Sequence, residues 1–202
     1  MQRQNVSRKW RLEMINKNYR TIGCQIAVFA AMLCFAAALA AQTATASSAQ
    51  PQEWKTYSYP ADGFSASFPS EPELQKNDIP TDAGSFELRS YIAQVGSAAV
   101  FVGVCDYGSS VEGRAPDTVL QGAKNGALEK SSAHLLREKK ITLGIYQGLE
   151  FESESDSAHF YARIYIVGTT LYQTLVVAPI NQPYGSSTRF LDSFQLIARA
   201  AK

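Results

Sequence analysis

Glu150, Glu152 and Glu154 alternate along the segment Tyr146 to Glu154, with Asp156 just beyond. On a β-strand that spacing places three carboxylates on one face, and a row of hard oxygen donors is the chemistry that holds Ca²⁺. The row lacks the loop of a dedicated calcium site, so these glutamates are metal candidates on spacing alone. A solvent-facing strand face with Phe151 turned inward accounts for the same alternation. The chain has two histidines, His134 and His159. They are too few for a His-rich centre, no Cys/His spacing supports zinc, and both are expected at strand ends. No cofactor is expected.

For nucleophilic catalysis the only Gly-Ser turns worth weighing are Gly108-Ser109-Ser110 and Gly185-Ser186-Ser187. Neither is the Gly-x-Ser-x-Gly elbow that exposes a serine nucleophile, and turn or helix-cap roles account for both. The glycines are scattered singly and make no phosphate-binding loop. The reading is therefore a protein without a catalytic constellation. Tyr146, Tyr161, Tyr165, Tyr172 and Tyr184 crowd the second half, and tyrosine offers apolar area with a hydrogen-bonding tip at low entropic cost. Tyr161, Arg163 and Tyr165 alternate on one strand face and are the candidate partner-binding residues. The competing expectation is that they are core beneath the helices.

Composition narrows the partner. A leader carrying Arg3, Arg8, Lys9, Arg11, Lys17 and Arg20 against Glu13 runs into the apolar stretch Ile22 to Ala41, followed by Ala, Thr and Ser. This is the pattern of an export signal, with Ala38-Leu39-Ala40 or Ala44-Thr45-Ala46 as the cleavage motif. The alternative is an anchor retained through 22–41, since about 20 apolar residues cross a bilayer. Residues 1–46 are thus read as signal peptide, 47–53 as a tether, and 54–202 as one domain. The location that follows is exported, either periplasmic or secreted.

The whole chain has 19 Lys and Arg against 18 Asp and Glu; six and one of these lie in the leader, leaving 13 and 17. The remaining domain is mildly acidic, with no basic stripe for a phosphate backbone, and nucleic acid is not an expected partner. Cys24 and Cys34 lie in the leader. Only Cys105 remains, within the apolar run that begins at Ala98, and a buried small side chain is expected there.

The elements that must position these residues follow from periodicity. Trp54 to Tyr59 and Phe64 to Phe68 alternate about the turn Pro60-Ala61-Asp62-Gly63, predicting a hairpin. Phe86, Leu88, Ser90 and Ile92 share one face of a strand, and Ala98 to Cys105 reads as a central strand. Val119, Leu120, Ala123, Ala127 and Leu128 fall at helical spacing after Pro116, predicting a helix to Ser131 in which Gly122 and Gly126 permit close approach to the sheet. Four strands follow over 135–143, 146–154, 159–167 and 171–177, with short connections that favour consecutive antiparallel pairing. A short helix carrying Phe190, Leu191 and Phe194 then precedes an edge strand over 195–197.

The segment Tyr59-Pro60-Ala61-Asp62-Gly63-Phe64-Ser65-Ala66-Ser67-Phe68-Pro69 resembles the opening "dGFsisfP" hairpin of the Mog1/PsbP-like domains, which include envelope proteins related to DcrB. Arg163 to Gly168, Leu171-Tyr172 and Phe190 to Phe194 resemble the ending of the same group. The resemblance spans most of 54–197. It implies an α+β fold, a twisted antiparallel sheet flanked by one long and one short helix in an α/β/α sandwich. It also implies accessory or binding roles without catalysis. It carries over no functional residue, and fold analogy does not fix function.

Three roles follow as expectations. The first is an exported, non-catalytic accessory or binding domain that engages an envelope protein or membrane component. The second is a small-molecule binder or hydrolase with a pocket between the sheet and the helix at 116–131, its ligand unknown. The third is a membrane-tethered structural domain.

Overall fold

Alternating apolar and polar side chains build a strand-dominated chain. The computed structural model describes residues 53–81, 84–182, 185 and 187–200. The leader, its cleavage motifs, the anchor alternative through 22–41, the tether up to residue 52, Tyr184 and Ser186 lie outside them. In order the elements are β1 (Lys55–Tyr59), β2 (Phe64–Phe68), β3 (Glu73–Thr81), β4 (Gly84–Val95), β5 (Ala98–Asp106), α1 (Pro116–Ser131), β6 (His134–Leu143), β7 (Tyr146–Glu154), β8 (Ala158–Val167), β9 (Thr170–Pro179), α2 (Ser187–Ser193) and β10 (Gln195–Leu196). No helix among the described residues is long and apolar enough to cross a membrane.

Seven strands form one antiparallel sheet in the order β3-β4-β5-β9-β8-β7-β6, and β1-β2-β10 form a second, smaller sheet. Glycine with positive φ opens the two-residue connections β6–β7 (Gly144, 59°) and β8–β9 (Gly168, 60°). That placement is the II′ pattern, whose twist suits a hairpin.

The large sheet has a core on each of its two faces. Leu88, Phe101, Cys105, Leu149, Phe151, Phe160, Ala162, Ile164, Leu171 and Leu175 turn to the face covered by α1, where Val119, Leu120, Ala123 and Ala127 meet them. Val100, Val102, Val104, Tyr165, Tyr172 and Val176 turn to the opposite face, where Phe64, Ala66 and Phe68 of the small sheet and Phe190, Leu191 and Phe194 close over them. The α+β architecture with one long and one short helix is therefore as expected, and the second layer also contains the three-stranded sheet.

Two readings need correction. Strand β3 was not anticipated, because Glu73-Leu74-Gln75-Lys76-Asn77-Asp78 is polar and mostly exposed. It is an edge strand, where polarity and Pro80 are tolerated because only one side of the ladder is bonded. Gly122 does not serve close packing, since a Cβ there meets nothing within 4 Å; Gly126 is buried.

The two layers are pinned through the first hairpin turn. Asp62 is 5% exposed. Its Oδ1 accepts from Arg89 Nε at 2.6 Å and its Oδ2 from the Tyr91 hydroxyl, while its carbonyl accepts from the Tyr172 hydroxyl at 2.8 Å. Burial, followed by the bond to Asp62, raises the Tyr91 hydroxyl pKa, so it stays a donor.

Candidate functional site

The carboxylate row of β7 is the middle of a three-strand ladder. Register places Lys139 opposite Glu150, Arg137 opposite Glu152 and His134 opposite Glu154. On the other flank Arg163 stands opposite Glu150, Tyr161 opposite Glu152 and His159 opposite Glu154. All nine side chains share the face opposite α1, since the α1 face of β7 and β8 is taken by Leu149, Phe151, Phe160, Ala162 and Ile164.

A one-residue irregularity makes this possible. The β6–β7 register shifts between Leu135 and Arg137. In unbroken alternation His134 and Arg137, three apart, would point to opposite faces. The bulge inverts the parity and brings His134 onto the carboxylate face.

Glu150, Glu152 and Glu154 keep 21%, 16% and 32% of their side-chain surface, so the expected solvent-facing row is in fact half-buried. Each is matched by cations or imidazole. Glu150 Oε1 takes Lys139 Nζ at 2.9 Å, and Oε2 takes Arg163 Nε at 2.6 Å. Burial pushes its carboxyl up, but the hydrogen bonds from Lys139 and Arg163 outweigh that and hold it below the usual range. Glu152 pairs with Arg137, and that hydrogen bond is the main cause raising the guanidinium pKa above its ordinary value. Glu154 Oε1 lies 3.2 Å from His134 Nε2, and its Oε2 lies 3.8 Å from His159 Nδ1.

The three partner-binding candidates separate in depth. Tyr165 is 4% exposed and stacks at 4° on Phe194 with centroids 6.0 Å apart, so it supports the face from below. Tyr161 is half-buried and stacks on His159 at 4.5 Å. Burial, reinforced by the Glu152 charge, raises its hydroxyl pKa. Arg163 reaches from Glu150 to the exposed Asp192 of α2, its Nη1 donating to Oδ1 at 2.6 Å. Burial disfavours the Arg163 charge, yet the bonds to Glu150 and Asp192 leave it more firmly protonated than usual. The surface on this face is thus made by Tyr161, Arg163 and the ladder around them.

Ser109 and Ser110 of the first Gly-Ser turn do not meet the histidines. Ser109 and Ser110 sit in a 3-10 turn (Gly108–Val111) just beyond β5, at the end of the sheet where β8 and β9 turn over. His134 and His159 lie at the other end of β6 and β8.

The space between α1 and the sheet is filled by core side chains. A cavity of about 250 Å³ opens beside the first turn of α1, lined by Val111, Arg114, Pro116, Val119, Tyr146 and Ile166. Ile145, 88% exposed, is also part of that lining, at the tip of the β6–β7 hairpin. A second depression of about 380 Å³ lies across Tyr146 and Gly168, against Tyr172 and Arg199.

The alternation of the glutamates and of Tyr161, Arg163 and Tyr165 was readable in sequence. The placing of His134 and His159 on either side of Glu154 was not, because it depends on a bulge and on pairing across three strands.

No family model matches the chain. No curated protein matches it. Among solved structures it is similar to cyanobacterial PsbP (CyanoP) from Synechocystis, at 11% identity and a TM-score of 0.49, over 76% of this chain and 98% of that one. It is also similar to a Pseudomonas aeruginosa protein of unknown function, at 10% identity and a TM-score of 0.34, over 63% of this chain and 84% of the other. The α+β description stands on the strands and helices of the chain itself.

Proposed function

We propose that this chain is an exported, non-catalytic accessory domain that binds another component of the cell envelope through the β6–β8 face. The observation that carries the reading is the cross-strand ladder, in which Tyr161 lies between the Arg163 and His159 positions above a rigid sheet. Paired charges that neutralise one another suit a recognition surface, because a partner can exchange those pairs without meeting a large single-sign field. An amphipathic Tyr flanked by Arg is the composition that dominates interface energetics. Export rests on the basic leader and its apolar run, and a retained 22–41 segment would make the same domain membrane-tethered.

The test is capture by the tagged full-length chain from a detergent extract of its own envelope, with wild type and Tyr161→Ala compared. The expected result is a near-stoichiometric envelope partner that Tyr161→Ala loses while its circular dichroism and melting temperature stay native-like. Equal capture by the variant overturns the assignment of the face. If Tyr161→Ala unfolds, the residue is core and the assignment fails as well.

The cavity beside the first turn of α1 favours a second reading, a small-molecule site bounded by Arg114 and apolar side chains. Under that reading a ligand protects the domain thermally and Tyr161→Ala leaves the protection unchanged.

A further inference from the structure

We propose that His134, Glu154 and His159 form a site for a divalent transition metal such as Zn²⁺ on the outer rows of the sheet face. These are the chain's only two histidines, and they converge on one carboxylate from its two neighbouring strands. Two imidazoles and a carboxylate are a recurrent donor set for zinc and related metals.

Among the described residues no three donors already stand at ligand spacing. Donors bound at 2.0–2.1 Å in tetrahedral or octahedral geometry stand about 3.0–3.4 Å apart. The His134 Nε2 to Glu154 Oε1 separation of 3.2 Å is within that range, and the His159 Nδ1 to Glu154 Oε2 separation of 3.8 Å exceeds it by a few tenths of an ångström. Because the two imidazoles approach different oxygens of Glu154, seating one ion requires the carboxylate and both rings to turn toward a common point.

Two further observations point the same way. His159 Nε2 is buried without a hydrogen-bond partner, 3.9 Å from Glu152 Oε2. A histidine that ligates through Nδ1 carries its proton on Nε2 and donates it to an outer carboxylate, which fixes the ring and raises its basicity. Glu152, held by Arg137, stands where that acceptor is needed. Secondly, the bulge in β6 exists at the cost of an interrupted ladder, and what it changes is the face on which His134 lies. With His134 66% exposed, the position opposite the protein ligands is open to water or to a further donor.

The experiment titrates Zn²⁺ into untagged full-length chain in mild detergent at pH 7.5, followed by calorimetry and by the imidazole proton signals. The expected result is one equivalent bound, with both imidazole signals moving together. His134→Ala, an exposed change that leaves the fold intact, abolishes stoichiometric uptake. Glu152→Gln keeps the stoichiometry and weakens affinity by about 10–100-fold. Acidification to pH 5.5 releases the metal, because the ligands must be deprotonated. Absence of saturable uptake in the folded wild type overturns the proposal, and so does uptake unchanged in His134→Ala or Glu154→Gln.

Discussion

Gly148 of β7 has no room for a methyl group. A Cβ there would lie 2.5 Å from Tyr165 Cδ1 and 2.6 Å from the Ile164 carbonyl, and the latter, being backbone, cannot move aside. Tyr165 covers the glycine across the strand pair, as buried aromatics do. Gly148→Ala is expected to destabilise by about 1–3 kcal/mol, read as a lower urea midpoint. Acid sensitivity is set at the same scale. The Glu150 carboxyl sits below its usual range for the reasons given, and Glu138 does so chiefly through its hydrogen bond from Lys124. Carboxyls depressed in the folded state contribute stability that is complete above their unfolded value of about 4.3 and is lost as pH falls through the folded value. Melting temperature should therefore drop below about pH 4.5. Glu150→Gln should be less stable at neutral pH and show a shallower acid slope.

At the scale of elements, α1 contains opposite cases on one helix. Leu120 is 1% exposed in the core, and Leu120→Ala should cost about 2–5 kcal/mol. Gly122 faces open space at a helical φ, and Gly122→Ala should instead stabilise by about 0.5–1 kcal/mol, measured in the same denaturation series. The periodicity of Val119, Leu120, Ala123 and Ala127 was enough to place this helix and its buried face. It could not say which glycine is buried, since both fall within the same turns. Most strands from β5 onward were legible because continuous apolar runs (β5, β9) or alternation (β7, β8) mark them and their turns are short. Strand β3 was not, for an edge strand exchanges the apolar signal for protection of its open side. The ladder shows the same limit: each row of like-spaced residues could be seen, while the ion pairs that join the rows depend on register, which one strand does not specify.

For the whole molecule, the first hairpin was legible as a hairpin but not as the clasp between layers. Pro60-Ala61-Asp62-Gly63 reads as turn chemistry, yet Asp62 turns inward to Arg89 and Tyr91 of β4. Removing the carboxylate leaves the buried Tyr91 hydroxyl without its acceptor, while Arg89 keeps Glu87 at 2.9 Å, so Asp62→Ala should cost about 1–3 kcal/mol, against less for Asp62→Asn, by chemical denaturation. Loosening of the small sheet should appear as faster amide exchange in β1 and β2 than in β5 and β9.

The pairing of β10 with β2 reaches further. Leu196 lies against Phe64, Ile197 N–H donates to the Gly63 carbonyl at 2.9 Å, and Ala200 N–H donates to the Pro60 carbonyl at 3.0 Å. On a growing chain the strand synthesised near the start of the domain must wait for residues added near its end. Such closure has a high contact order and is slow. A nascent chain halted before residue 195 therefore holds an unfinished small sheet, and the layer that β10 completes cannot close until synthesis of the domain is almost over.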